Sequence, residues 1–468
     1  MQKNLKFIFC AWIIISLCVV WFAAYIFDGF ITYDGYYYYE MSTAFRQLKF
    51  ENWDFARTPI FPYLLYLSER FNLTALPNFV FLNSVLIFLS MALLIDLLIK
   101  KRPKSKRPFL IVVGALLPSV VVYQHGLLSE ASLIFLMTVI FWISAKEWST
   151  IKSKYIALTI VMIVAYYVKP HFKYYAIGVF LLNLIVIDFN NFRFDRFREL
   201  IYSLRWLVIG LLVFFICIQP WEKALKNSGR MAALNFFPLM MGVVPPYEKY
   251  VGPKYIEYNN LLNSAGGVPR EGFEHSLIYP FVGATSEMLL WPAIKSETDK
   301  YLFAVAKSLS VYAYSTLGVS ETHNFYTSMK SGDQYIGKIK LYHFDGRPEL
   351  ANDVYSSYAN TYAKNGGQLI YSYVYQSLRF LETVMIIFSL VLLICAVYIR
   401  DKIIVLGLTI SWSYMLMHAL ALLAIDRYAA PIKLIVLYCF AAFPVRMFWD
   451  AIKLKVHACK NNILYGKA

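Results

Sequence analysis

Asp34 and Glu40 bracket four consecutive tyrosines in Ile31-Thr32-Tyr33-Asp34-Gly35-Tyr36-Tyr37-Tyr38-Tyr39-Glu40. A carboxylate beside a wall of aromatic rings, just past an apolar run, suits a site that handles a polar group carried on an apolar one. Further along the chain come Arg57, ahead of Thr58-Pro59-Ile60-Phe61-Pro62, and the stretch Gln124-His125-Gly126-Leu127-Leu128-Ser129-Glu130. Lys169-Pro170-His171-Phe172-Lys173 and Asp426-Arg427-Tyr428 follow. Carboxylates and cations gathered in one pocket suit transfer of a group from a phosphate leaving group to a hydroxyl or an amine. The carboxylate accepts the proton of the nucleophile. Arg and Lys stabilise the charge on the departing phosphate.

Something must bring residues so far apart in sequence to one place, and the composition says what. The 468 residues are 59% hydrophobic, 18% aromatic and only 16% charged, with a mean hydropathy of +0.52. A soluble domain could not hide that much apolar surface, so the bilayer is its solvent. Runs long enough to cross lie near 7–27, 77–99, 108–124, 128–145, 155–169, 172–189, 206–220, 380–399, 403–424 and 431–447. Pro118 is expected to kink its helix. Lys3 and Lys6 precede the first run, which is long for a signal-peptide core and lacks a clean cleavage site, so it reads as an uncleaved span. Cys10, Cys18, Cys217, Cys395, Cys439 and Cys459 show neither a disulfide framework nor metal-ligand spacing.

A net charge of +16 would suit a nucleic-acid binder, but the excess lies in short loops between apolar spans, where it sets orientation. Lys100, Lys101, Arg102, Lys104, Lys106 and Arg107 form one such loop. Lys146, Lys152 and Lys154 form the next, followed by Arg193, Arg196, Arg198 and Arg205, then Arg400 with Lys402. About ten spans with both termini cytoplasmic satisfy every loop. The chain then divides into an N-terminal membrane core over 1–220, an outer domain over 221–376 and C-terminal spans with a tail over 377–468. The fold class expected is an all-α polytopic membrane protein with a mixed, mainly helical outer domain. In that domain a capping pattern at Ser296-Glu297-Thr298-Asp299 predicts a helix running to about Tyr314. Pro348 predicts another, ending near Gly366-Gly367. The first outer loop, 28–76, holds two amphipathic stretches near 36–49 and 59–71 that suit the membrane surface.

With that topology the candidate residues all fall on the outer side. Charges at membrane depth cost roughly 2.5–3.5 kcal/mol each, so they tend to mark function. Near the interface the bland reading, an anchoring or snorkelling side chain, competes for Lys173 and Asp54 and is the better one for His125 and His171. Asp96 reads as a partner of Lys100 one turn on, and His418 as a hydrogen-bonded structural histidine. Asn72-Leu73-Thr74 matches a glycan sequon and is discounted.

Taken in order, these residues resemble the membrane glycosyltransferases of the GT-C fold, in particular the lipid A aminoarabinose transferases and the protein O-mannosyltransferases. The resemblance rests on Asp34 with Gly35-Tyr36-Tyr37, on Arg57-Thr58-Pro59-Ile60-Phe61-Pro62, on Glu130, on Lys169-Pro170 and on Asp426-Arg427-Tyr428-Ala429-Ala430-Pro431. It runs from the N-terminus to residue 431. It implies a polyprenyl-phosphate sugar donor, with Asp34 as general base and Arg57 on the donor phosphate. It implies that Glu130 orients the acceptor or supports Asp34, and that Lys169 and Arg427, with Tyr428, line the phosphate or sugar site. Tyr36, Tyr37, His125, His171 and Asp426 are the further pocket candidates. The chain departs from the family in its few C-terminal spans, as in small bacterial transferases that decorate surface polysaccharides. It also has lysine where arginine is common, which keeps the charge but loses the bidentate fork.

The expected activity is therefore an inverting transfer of one sugar from a polyprenyl-phosphate carrier to a periplasmic glycan, lipid or protein, at a bacterial inner membrane. No cofactor is expected. Asp34 and Glu130 could share a divalent cation, but no ligand motif indicates one. The competing readings are a flippase or transporter for a lipid-linked sugar, and an O-antigen polymerase or ligase. A transporter should carry polar groups near the midplane and related halves.

Overall fold

The structure is a computed structural model, and it describes residues 2–26, 33–50, 53, 58–72, 74, 76–103, 107–188, 197–227, 298–313, 366–420, 429–450 and 452–453. The described part of each apolar run singled out in the sequence is mainly helical. In chain order the helices are α1 (Gln2–Ile26), α4 (Asn78–Lys101), α5 (Pro108–Val113) with α6 (Pro118–His125), α7 (Glu130–Ala145), α8 (Ile151–Val168), α9 (Phe172–Leu182) and α10 (Phe197–Asn227). After these come α12 (Gly366–Tyr398), α13 (Lys402–Leu420) and α14 (Ala430–Ala442). Two short helices, α2 (Tyr33–Gln47) and α3 (Ile60–Phe71), occupy the amphipathic stretches of the first loop. Helix α11 (Thr298–Ala313) follows the capping pattern at Thr298.

By length and composition α1, α4, α8, α10, α12 and α13 can each cross a bilayer. Helices α5 and α6 pass the same test only together, as a pair bent by 54°, which fits a broken span or a re-entrant loop. Pro118 sits in the first turn of α6 and Leu117 before it is extended (ψ 137°), so the proline ends one helical segment and begins another. Helices α7, α9 and α14 are apolar but shorter. The chain is a helical, multi-pass membrane protein.

Gly366-Gly367 belong to the described part of the long helix α12, which runs on to Tyr398. The predicted helix after Pro348 lies outside the described residues, as does most of 221–376.

Helix α4 is central, packed on α1 and α7; α14 packs on α7 and α13, and α8 on α10. Met91, Ile95, Met137, Phe141, Leu434 and Tyr438 are buried between them. Phe141 meets Tyr438 edge to face at 5.2 Å. Where α13 crosses this layer the contact is close enough to require glycine: a Cβ on Gly407 would lie 2.8 Å from Cys439 Sγ and 2.9 Å from Phe141. Small residues at such crossings are how helices approach in lipid, where no hydrophobic force drives them together. Phe22, Ile160, Ile216 and Ile394 point outward from the bundle, as lipid-facing side chains do. Hydroxyls inside the apolar helices bond their own preceding turn: Ser84 to Val80 O, Thr138 to Ile134 O and Ser411 to Gly407 O, each at 2.7–2.8 Å. Without water no other acceptor is at hand.

Side chains tie off one end of the bundle. Lys101 at the end of α4 reaches both oxygens of Asp401 at 2.5 and 2.7 Å, and Asp401 Oδ1 accepts Ile404 N–H at the start of α13. Arg107 donates to the Ala441 and Phe443 carbonyls at the end of α14, where a cation offsets the helix dipole. Asp96 pairs with Lys100 at 2.8 Å and also accepts the Trp142 indole N–H. At the opposite end, where α4 begins, α2 and α3 pack on each other through Tyr38 against Phe61 (4.9 Å) and through an Arg46–Glu69 pair. The sequon asparagine is internally engaged there. Asn72 Nδ2 donates to Leu76 O at 2.7 Å, and Thr74 bonds back to Asn72 Oδ1.

Candidate active site

The half-helix α6 ends at Gly126, and the turn 126–129 delivers Glu130 to the first position of α7. A helix end leaves its last carbonyls without partners. Here Asn83 from α4 answers them, with Nδ2 3.0 Å from Tyr123 O, 3.3 Å from Gln124 O and 2.9 Å from Gly126 O. Gln124 Nε2 donates to Val20 O on α1 and to Ser84 Oγ on α4, both at 2.9 Å. His125 is fully buried, its Nδ1 2.8 Å from Val121 O. The turn thus rests on α1 and α4 through short polar contacts and cannot slide independently of them.

Helix α2 docks on this turn. A Cβ built on Gly35 would stand 2.3 Å from the Leu127 carbonyl oxygen, so only glycine fits. Three residues on, Tyr38 Oη lies 3.4 Å from Ser129 Oγ. Asp34 occupies the first turn of α2 next to Gly35. The backbone that carries Asp34 and the turn that carries Glu130 are therefore in contact. Gly35→Ala is expected to push α2 off the turn at a cost of about 1–3 kcal/mol, the usual range for overpacking. A thermal-unfolding midpoint equal to the parent's would contradict that close approach.

Glu130 is buried, with a side chain only 1% exposed, and Oε1 accepts from Lys169 Nζ at 2.7 Å. Glu130 heads α7, where a carboxylate also meets the positive end of the helix dipole. Lys169 closes α8 in an extended conformation (φ −146°, ψ 120°), which turns its side chain from the α8 axis toward α7. One turn on, Lys173 Nζ meets Glu222 Oε2 at 2.6 Å, and Tyr166 Oη donates to Glu222 Oε1 at 2.7 Å. The α8–α9 turn thus presents two ammonium–carboxylate pairs in tandem. His171, between them, stands edge-on to His418 with ring centroids 4.6 Å apart. His418 Nδ1 lies 2.9 Å from Tyr414 O, as expected of a structural histidine.

Of the residues singled out in the sequence, Glu130 and Lys169 are brought together directly, and His171 lies two positions past Lys169. Tyr37 is half-buried on α2. The side chains of Asp34 and Tyr36, and the whole of Arg57, Asp426, Arg427 and Tyr428, lie outside what the structure describes. Among the described residues no group of three or more His, Cys, Asp or Glu side chains could hold a metal ion.

Sequence reasoning missed Glu222, Glu382 and Lys433. Glu222 follows Pro220, which suggests the end of a span, yet α10 continues through that proline to Asn227. Glu382 and Lys433 are charges inside apolar runs. That signal was present, but neither residue's partner could be read from it. The two form a pair at 2.8 Å, both side chains 6% exposed, and Glu382 also accepts from Ser119.

No protein-family model matches the chain, and no curated protein matches it. Among solved structures, it is similar to the crystal structure of ArnT from Cupriavidus metallidurans bound to undecaprenyl phosphate. The two are 12% identical, with a TM-score of 0.37, over 92% of this chain and 77% of that one.

Proposed function

We propose that the chain is a membrane glycosyltransferase that moves one sugar from a polyprenyl-phosphate carrier to an acceptor, inverting the anomeric centre. The observation that supports this reading best is the buried Glu130–Lys169 pair, set in a turn against which the Asp34-bearing end of α2 is packed. In the reaction an acceptor hydroxyl attacks the anomeric carbon. Asp34 takes the hydroxyl proton as the new C–O bond forms. The bond from carbon to the phosphate oxygen breaks, and polyprenyl phosphate leaves with the electron pair. Lys169, Arg57 and Arg427 offset the charge that gathers on that phosphate. Glu130 holds the Lys169 ammonium in place and orients the acceptor. On this reading the site faces the periplasm of a bacterial inner membrane and both termini are cytoplasmic, an orientation that the distribution of basic loops supports. The acceptor class is a surface glycan, a lipid or a protein.

Mass analysis of surface glycans from a deletion strain tests the proposal. Loss of one branch sugar with an intact backbone is the expected result; shortened polymer would favour a polymerase instead. Arg57→Ala is expected to raise KM for the lipid-linked donor more than it lowers kcat, and unchanged donor kinetics would remove Arg57 from the phosphate site.

One observation favours a transporter for a lipid-linked sugar: the bent α5–α6 segment with a charge pair at its break. Against it, Ser119 and Lys433 already occupy both Glu382 oxygens. A transporter would relocate the sugar lipid without cleaving it, so release of polyprenyl phosphate by purified protein separates the two readings.

A further inference from the structure

Glu382 and Lys433 take no part in the chemistry above, yet they form a buried ion pair, with the buried Arg379 one turn before Glu382 on α12. Both side chains of the pair are only 6% exposed. A buried pair of this kind is seldom more stabilising than well-packed apolar residues would be, so stability alone does not account for it. Its geometry suggests another role. Pro118 has no N–H, and the amides of Val120 and Val121 both reach Leu117 O at 2.9 Å, so at the start of α6 it is Ser119 N–H that needs an acceptor from outside the helix. Glu382 Oε1 accepts from Ser119 N–H at 3.0 Å and from Ser119 Oγ–H at 2.5 Å. Glu382 Oε2 accepts from Lys433 Nζ at 2.8 Å. One carboxylate on α12 thus caps α6 and is neutralised by a lysine on α14.

We infer that Glu382 and Lys433 are positioning residues: they pin the start of the half-helix α6 and, through it, the turn that carries Glu130. The other end of α6 is pinned by Asn83. With both ends fixed, the eight-residue segment Pro118–His125 acts as a strut between the buried pair and the turn. Glu382 contributes an acceptor that leucine lacks, and Lys433 contributes the charge that lets a carboxylate sit in that place. The consequence for sugar transfer rests on the reading of Glu130 given above; the mechanical role does not.

The test compares two charge-balanced double variants. Glu382→Gln with Lys433→Met keeps an oxygen for Ser119, whereas Glu382→Leu with Lys433→Met removes it. The reporter is Leu128→Cys, at a turn position that is 1% exposed, in a chain whose native cysteines are replaced by alanine. Maleimide labelling of purified protein in detergent reads how often the turn opens. The leucine variant is expected to label about fivefold faster than the parent, the effect of losing one helix cap, and the glutamine variant at the parent rate. Equal rates in parent and leucine variant overturn the inference, as does a glutamine variant that labels as fast as the leucine one. Should the leucine variant fail to fold, Glu382→Met with Lys433→Met, which also removes the acceptor, serves in its place, and unchanged labelling there overturns it too. Transfer is assayed separately. Labelling as expected, with no transfer by the parent from any polyprenyl-phosphate sugar, sinks the transferase reading alone. Transfer by the parent with unaltered labelling sinks the positioning role alone.

Discussion

Asp34→Asn is expected to lower sugar transfer about 10²–10⁴-fold, the usual contribution of a general base, while the protein still inserts and purifies folded. Asparagine has the size and shape of aspartate, so the first turn of α2 and the contact of Gly35 with Leu127 are retained. In the proposed mechanism what is lost is the capacity to take a proton from the acceptor hydroxyl as it attacks. Donor binding there draws on the cationic groups and should change little, so the loss should fall in kcat and not in KM. Transfer by the asparagine variant at the parent rate would show that another group takes the proton. Glu130 would be the next candidate, because its turn touches the same helix end.

Lys169→Ala is expected to destabilise the chain by about 3–5 kcal/mol, the cost of leaving one member of a buried ion pair without its partner. The pair is well hidden, with Glu130 1% and Lys169 13% exposed, so neither water nor salt shields it much. Unfolding in denaturant, or a thermal midpoint in detergent, reads the loss. The double variant Glu130→Leu with Lys169→Met removes both charges and should recover most of that stability. It should not recover transfer, because in the proposed mechanism Lys169 also serves the phosphate. Recovery of transfer along with stability would reduce the pair to a structural tie. Lys169→Arg separates the roles from the other side. It keeps the charge, but a planar fork replaces a compact ammonium at a 2.7 Å contact, so partial activity with near-normal stability is expected.

The tandem arrangement bears on both results. Lys169 and Lys173 lie on one turn, each matched to a carboxylate from a different helix, Glu130 on α7 and Glu222 on α10. The turn between α8 and α9 is therefore held from two sides, and loss of one pair leaves the other in place. That is why Lys169→Ala is expected to give a weakened protein and not an unfolded one.

Much of the architecture was legible in the residues alone. The apolar runs near 77–99 and 380–399 became α4 and α12, because whether a segment can cross a bilayer depends on its own length and hydropathy. The amphipathic pattern at 59–71 became α3, and Pro118 marked the bend at Leu117, since a ring that removes a donor acts on its own turn. The candidate carboxylates and cations were singled out by residue type and order alone. The partners were not legible. Glu130 finds Lys169 39 positions away, Asn83 caps a helix end 43 positions away, and Glu382 meets Ser119 across 263. Local pattern carries no record of such distances, because they follow from how helices pack, and packing is settled by all the side chains at a crossing together. Charges within apolar runs could be noticed one by one, but only the folded bundle decided that Glu382 and Lys433 belong to each other and to the start of α6.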